Sequence, residues 1–429
     1  MNSRVSDGNT ENTAEFLFRK YGISARGCLP PDDPANTFRF DAWCSKEFHP
    51  IESIGNSLSR LLLDGTLADE IKKIPVMYPN LVNTLPERSA QLLMVRLAFI
   101  AHAYVWEDWK NKNARQSLPA NLAIPLRALA ARFRFCPTLN YSNYALWNWR
   151  RNCTSCPITP ENLKLMQNFL GGRSEEWFVV IHIAIENAVA PLFAAAWDLP
   201  DALCSTRSQT WLLSCLKVIA SGLREMNALM RRMPERCDTE EYFRLVRPYL
   251  YGWKDKKIFP NGMLYEGVTS AENKFLVFPG ETGAQSSIIP CLDRLFRISH
   301  TPSHLSEHLD EMLKFCTPEK QRDFVLSFEK RPGLSAKNIV HFGTNVEEVY
   351  FECRKLLSEF RAIHFYYAIE YIQKQASLIE HPFGNKATGG SPYVESLWKH
   401  FEETLGTRLM EEMGGVKESF KTLIYPFVL

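Results

Sequence analysis

The run from Thr344 to Gln375, TNVEEVYFECRKLLSEFRAIHFYYAIEYIQKQ, constrains the fold most, because it reads as one long helix. Thr344 and Glu347 have the spacing of a capping box, which satisfies free backbone amides at a helix start. Val349, Cys353, Leu356, Leu357, Phe360, Tyr367 and Tyr371 then recur at three- and four-residue steps and mark an inward face. His364 falls on that face. Burying an imidazole without a partner costs roughly 1–3 kcal/mol, so it must hydrogen-bond or bind a metal. Two readings stand side by side. One is a hydrogen-bonded core histidine; the other is an axial haem ligand, since a neutral imidazole held by a helix in an apolar pocket suits ferrous haem.

Helical spacing dominates elsewhere and no stretch alternates like a strand, so the expected fold class is all-α. Ile51 to Leu67, the stretch around Leu92 to Trp109, and Leu118 to Phe135 carry apolar residues at helical steps, broken by prolines. The segment 118–149 ends in an aromatic cluster of Tyr141, Tyr144, Trp147 and Trp149, able to fill a core or to wall an aromatic pocket. RRNCTSCPITP, residues 150–160, turns polar and proline-bearing. The expected boundary lies there, between a small helical domain, 1–155, and a larger all-helical domain, 156–429, and 45% hydrophobic content over 429 residues allows two such cores. Cys153 and Cys156 form a lone C-x-x-C with no second pair, and read as incidental.

Ser174 to Trp197 is apolar all round through WFVVIHIAI and is expected to be buried, with His182 at its centre, Phe178 one turn before and Glu186 one turn after. Alone, His182 is a core histidine. Two histidines central to two buried helices are a rarer coincidence. Pro191 is expected to kink this helix. Ser205 to Met233 forms another amphipathic helix. In EEYFRLVRPYLYGW, residues 240–253, Asp238 and Thr239 are possible caps, and Arg247 beside the apolar face is either a snorkelling residue or a fork for a carboxylate.

Other chemistries find little support. Lys+Arg and Asp+Glu balance to a net charge of +2, so neither nucleic acid nor an anionic membrane is expected as partner. No segment approaches eighteen uninterrupted apolar residues, and the polar start carries no apolar leader, so a cytoplasmic chain, monomeric and with free thiols, is expected. The loops 278–287 and 385–398 hold glycines but no dinucleotide or Walker pattern. His300, His304 and His308 fall at four-residue steps, yet Pro302 interrupts the turn and the glutamate of a zinc protease is missing. No cysteine sits in a haem-thiolate setting.

Taken together, LPANLAIPL (118–126), the Tyr141 to Trp149 segment, EEYFRLVRPYLYGW (240–253), MLYEG (263–267), GETGAQSSIIPCLD (280–293), RPGLSAKNIV (331–340), the His364 helix and ATGG (387–390) resemble the indoleamine 2,3-dioxygenase family, in the family's order. The resemblance covers nearly the whole chain from about residue 30. It implies a small helical domain capping a larger one that holds haem b, with His364 as proximal iron ligand. It also implies that Arg247 binds the substrate carboxylate, that Tyr141, Tyr144, Phe178, Tyr242 and Phe243 form the pocket, and that Thr388 stands near the substrate ammonium.

Three departures accompany the resemblance. His182 falls where the animal enzymes carry a serine facing oxygen, Ala387 replaces the first glycine of a G-T-G-G loop, and Glu281 stands in a loop that is usually glycine-rich there. The expected activity is haem-dependent cleavage of the indole C2–C3 bond of L-tryptophan or a related indoleamine by molecular oxygen, with His182 as the catalytic distal residue. The alternatives are a haem-dependent monooxygenase or peroxygenase on a tryptophan- or tyrosine-derived metabolite, and a haem-binding sensor.

Overall fold

In a computed structural model of the chain, residues 3–6, 9–37, 42–111, 113–204, 208–268, 275–378 and 394–424 are described. The fold is all-α, and its strands are only two to four residues long. Helix α1, Glu87–Trp106, is buried almost all round. By length and composition the stretch Glu87–Asn111 would cross a membrane, but 89% of its apolar window is packed inside the protein, which makes it an interior helix.

The expected helix Ser174 to Trp197 is two helices, α2 (Gly172–Ala188) and α3 (Ala190–Cys204), bent by 40° at Val189. Pro191 starts the second of them, where its missing N–H breaks no helical bond. Helix α4, Ser208–Arg231, packs against α2, α3 and the long helix α5, Thr344–Ala368.

The start of α5 differs from expectation. Thr344 is its first helical residue and makes no side-chain cap; the cap is Gly343, whose φ of 88° lies where only glycine is at ease. The Gly343 carbonyl accepts from the N–H groups of Val346 and Glu347, and the Glu347 carboxylate pairs with Arg408 instead of folding back. The helix also buries two faces, not one. Tyr350, Cys353 and Leu357 belong to the main core, whereas Ala362 packs with Phe401 and Leu405 of helix α6, Val394–Glu412. Val349, Leu356 and Phe360 are only half-buried.

Asp238 does cap the segment that follows it, accepting from the backbone of Glu240 and Glu241, both at 2.9 Å. Three short π-turns interrupt the regular winding, at Ser142–Leu146, Tyr242–Val246 and Ile369–Gln373. A π-turn closes bonds over five residues, so positions five apart come to one side. Trp149–Arg151 pairs with Leu163–Leu165 as a hairpin whose connection, 152–162, takes up most of the expected boundary segment, and the Cys153 and Cys156 sulfurs approach to 2.6 Å within it. One apolar cluster includes residues from Leu17 to Tyr371, on both sides of this hairpin. The described cysteines are free thiols.

Candidate active site

A cavity opens between α2, α4 and α5, and each π-turn edges it, through Tyr141, through Tyr242 and Arg247, and through Tyr371 and Ile372. The π-turn is what lets Tyr242 and Arg247, five apart, share it. Tyr141, Phe178, His182 and Glu281 line one part. Phe360, Arg361, His364 and His400 line another, with Met226 and Met230 of α4 along the wall.

His182 donates from Nδ1 to the carbonyl of Phe178, one turn back on the same helix, at 2.8 Å. A carbonyl only accepts, so Nδ1 carries the proton and Nε2 is left as an acceptor near Gly283. Burial lowers the pKa of the ring, and the Phe178 bond opposes this only in part. Neutral His182 therefore offers the cavity a lone pair. Donation from Nε2 would need a charge that burial disfavours. The ring is flanked by Phe178, 4.6 Å between centroids, and by Tyr141 edge-on at 6.1 Å.

His364 is accessible yet deep in the protein, because its ring opens onto the cavity and not the outer surface. Burial, then His182 and then Arg361, push its pKa down to about 4, so it is a neutral imidazole at pH 7. Among the described residues neither of its ring nitrogens is hydrogen-bonded. His102, in contrast, is the fully satisfied core histidine: Nδ1 donates to the Tyr249 carbonyl at 2.8 Å and Nε2 accepts from the Leu139 N–H at 2.9 Å.

Arg247 is fully buried, its guanidinium over the rings of Phe243 (5.4 Å) and Tyr251 (5.1 Å). Phe243 thus lies behind the arginine and does not line the cavity. Tyr144 is likewise set back, stacked on Phe99 at 5.6 Å. Tyr242 lines the cavity and stacks against Phe178 at 4.7 Å. Behind Tyr141, Glu186 accepts from the Ser286 hydroxyl at 2.8 Å and hydrogen-bonds Tyr141; burial pushes its carboxyl up to about 7. Thr388 and Ala387 lie outside the described residues, as does the His304 side chain.

Sequence reasoning missed a polar cluster at the His364 end. Arg361 donates from Nη2 to both Asp293 oxygens, at 2.7 and 2.6 Å, while His300 reaches Asp293 at 3.1 Å and Glu403 at 2.7 Å. Burial works against the Asp293 charge, but Arg361 and His300 outweigh it and hold the carboxyl below its usual range. His400 stacks on His300 at 4.0 Å, is 1% exposed, and has no partner for either ring nitrogen among the described residues. His300, His400 and Glu403 bring ligand atoms within 4.8 Å of one another. With both His300 nitrogens on carboxylates and a guanidinium alongside, this arrangement is an ion-pair network already balanced without a cation. Arg361 lies on α5, three residues before His364, whereas His400 comes from α6 and no local signal pointed to it.

Known proteins resemble this chain throughout. The family model described as indoleamine 2,3-dioxygenase matches residues 17–411. The indoleamine 2,3-dioxygenase 1 of Rattus norvegicus is 30% identical over 376 residues, covering 87% of this chain and 89% of that protein. The indoleamine 2,3-dioxygenase of Saccharomyces cerevisiae is 25% identical, over 76% and 71%. The 6-hydroxytryptophan 2,3-dioxygenase of Fusarium equiseti is 26% identical, over 81% and 82%.

Proposed function

The chain belongs to the indoleamine 2,3-dioxygenase family, and from that premise we propose that it binds haem b through His364 and cleaves the indole C2–C3 bond of tryptophan or a tryptophan derivative. As a member it is an indoleamine 2,3-dioxygenase-like oxidoreductase. The observation that carries the finer reading is the shared cavity, in which His182 and His364 face one space and a buried arginine forms part of the wall.

The residues present fit a haem. A neutral imidazole faces the cavity without a hydrogen bond to hold it, Phe360, Met226 and Met230 supply apolar wall, and Arg361 with the orphaned His400 nitrogens suits the acidic edge of a porphyrin. When bound, the haem supplies the redox-active iron that turns dioxygen on the indole. The chain's own residues do the rest. Arg247 grips the substrate carboxylate through charge-assisted bonds, Phe178 and Tyr242 pack on its ring, and His182 Nε2 accepts the indole N–H. Fixing both ends of the substrate removes orientational freedom that would otherwise cost several kcal/mol of barrier.

The test is turnover by the reduced holoenzyme with labelled dioxygen and L-tryptophan or a ring-substituted derivative. Two labelled atoms in a formylkynurenine-type product support the reading; one labelled atom would make the enzyme a monooxygenase, and no product with intact haem would remove the oxygenase reading.

A further inference from the structure

The hairpin connection 152–162 holds Cys153 and Cys156 in one fixed relation, and neither cysteine lines the cavity. The Cys156 N–H donates to the Cys153 carbonyl at 3.2 Å and closes a turn over the two residues between them. Asn162 locks that turn from the far side of the loop. Its Oδ1 accepts from the Cys153 N–H at 2.8 Å, and its Nδ2 donates to the carbonyls of Cys153 at 3.0 Å and Pro157 at 2.8 Å. Arg151, anchored on Asp33 at 2.9 Å, donates to the Cys156 carbonyl at 2.9 Å. The two free thiols are thereby set with their sulfurs 2.6 Å apart, and a turn of this kind keeps its end Cα atoms within about 7 Å, the limit for a disulfide.

Proximity alone does not make such a pair reactive. Cys136 and Cys316 also bring their sulfurs together, at 3.1 Å, but they are 2% and 1% exposed and closed to an oxidant in solution. Cys156 is exposed and Cys153 half-buried, so an incoming disulfide has access to both. Hydrogen bonds with Cys156 and then with Ser155 pull the Cys153 thiol down to about 7, and the same contact between the two sulfurs pushes Cys156 up. Cys153 is thus the nucleophile and Cys156 the thiol that completes an exchange. The other use of a C-x-x-C is metal binding, for which zinc asks for four ligands. Among the described residues no third histidine, cysteine or carboxylate joins this pair.

We propose that Cys153 and Cys156 form a reversible dithiol–disulfide site that exchanges with low-molecular-weight disulfides such as glutathione disulfide. The Cys153 thiolate attacks one sulfur of glutathione disulfide, whose S–S bond breaks and releases one glutathione thiolate. The Cys156 thiolate then attacks the Cys153 sulfur of the mixed disulfide and releases the second. The two cysteine thiols give up two electrons and two protons, and one glutathione disulfide takes them up to become two glutathione thiols. This chemistry needs neither haem nor substrate and stands apart from the dioxygenase reading.

The experiment equilibrates the haem-loaded full chain in glutathione buffers of rising disulfide fraction, traps free thiols with acid and N-ethylmaleimide, and maps the cysteine peptides by mass spectrometry. Expected is loss of both alkylation sites to a Cys153–Cys156 disulfide that dithiothreitol reverses, while Cys136 and Cys316 stay reduced. Cys156→Ser should stop at a glutathione adduct on Cys153, and Cys153→Ser should form no internal bond. Both thiols still alkylated in the most oxidising buffer, glutathione adducts on both without an internal bond, or either one paired with a different cysteine overturns the proposal. So does one equivalent of zinc ion that shields both thiols from alkylation in the reduced chain, which would make the pair a metal site.

Discussion

The imidazoles of His182, on α2, and His364, on α5, open onto one cavity closely enough that the first lowers the basicity of the second. Neither is a cation at neutral pH, because burial is the leading cause in both. Their hydrogen bonding separates them. His182 has spent its proton on the Phe178 carbonyl and faces inward with a lone pair, whereas His364 keeps both nitrogens available.

The lone pair on His182 Nε2 makes a substrate N–H the fitting partner. A neutral hydrogen bond contributes about 0.5–1.5 kcal/mol, or roughly a two- to thirteenfold effect. The holoenzyme should bind L-tryptophan tighter than its 1-methyl analogue by about that factor, and His182→Leu should remove the difference while retaining haem. A preference of the same size in His182→Leu would mean that the methyl group is rejected by shape alone.

For Arg247 the expected defect depends on the substrate's carboxylate. Hydrogen bonds to charged groups contribute about 1.5–3 kcal/mol, so Arg247→Ala should weaken tryptophan binding by roughly ten- to over a hundredfold. Tryptamine, which lacks the carboxylate, should lose little. Titration of both ligands into haem-loaded protein checks this, and equal losses would show that the arginine, stacked on Phe243 and Tyr251, only packs the wall.

What the sequence made legible was what local period and residue chemistry encode. The buried helices, the two central histidines, the Asp238 cap and the arginine beside an aromatic face were all readable from spacing. The π-turns were not, since one extra residue per turn leaves no compositional mark, and they decide which of Tyr242, Phe243 and Arg247 meet the cavity. Phe243 was expected in the pocket and lies behind the arginine. The Thr344 cap failed because Gly343 could take a conformation that makes a side-chain cap unnecessary. His400 was hidden for a tertiary reason: only the packing of α6 on α5 brings it beside Arg361.

Buried acids should shape stability above neutrality. Glu175, Glu186 and Glu281 are pushed by burial up to about 8, 7 and 8, against an ordinary glutamate near 4.3. Between pH 6.5 and 8.5 the folded chain holds protons that the unfolded chain has already lost. The contribution of these acids is thus full at low pH and disappears as pH rises through 7 to 8. Urea unfolding of the haem-free protein should give a stability lower by roughly 2–5 kcal/mol at pH 8.5 than at pH 6.5. Glu281→Gln should lose its share of that fall. A flat or rising profile across this window would show that these carboxyls are ionised in the folded state.

Loss of His364 should separate haem binding from folding. The ring opens onto the cavity, so His364→Ala leaves the packed faces of α5, through Tyr350, Cys353 and Leu357 on one side and Ala362 on the other, untouched. Thermal stability of the haem-free variant should stay within about 1 kcal/mol of the parent, as for substitutions away from the core. Haem retention should fall sharply, because no other described side chain offers iron an unbonded nitrogen on this stretch of α5, and added imidazole should partly restore the absorption of a histidine-ligated haem. Protons compete for that nitrogen only near its pKa of about 4, so the parent should keep its haem down to about pH 5 and release it below. His182→Ala, in contrast, should keep haem and that same acid limit. If His182→Ala loses haem while His364→Ala retains it with an unchanged spectrum, the iron is held from the opposite wall and the two histidines exchange roles.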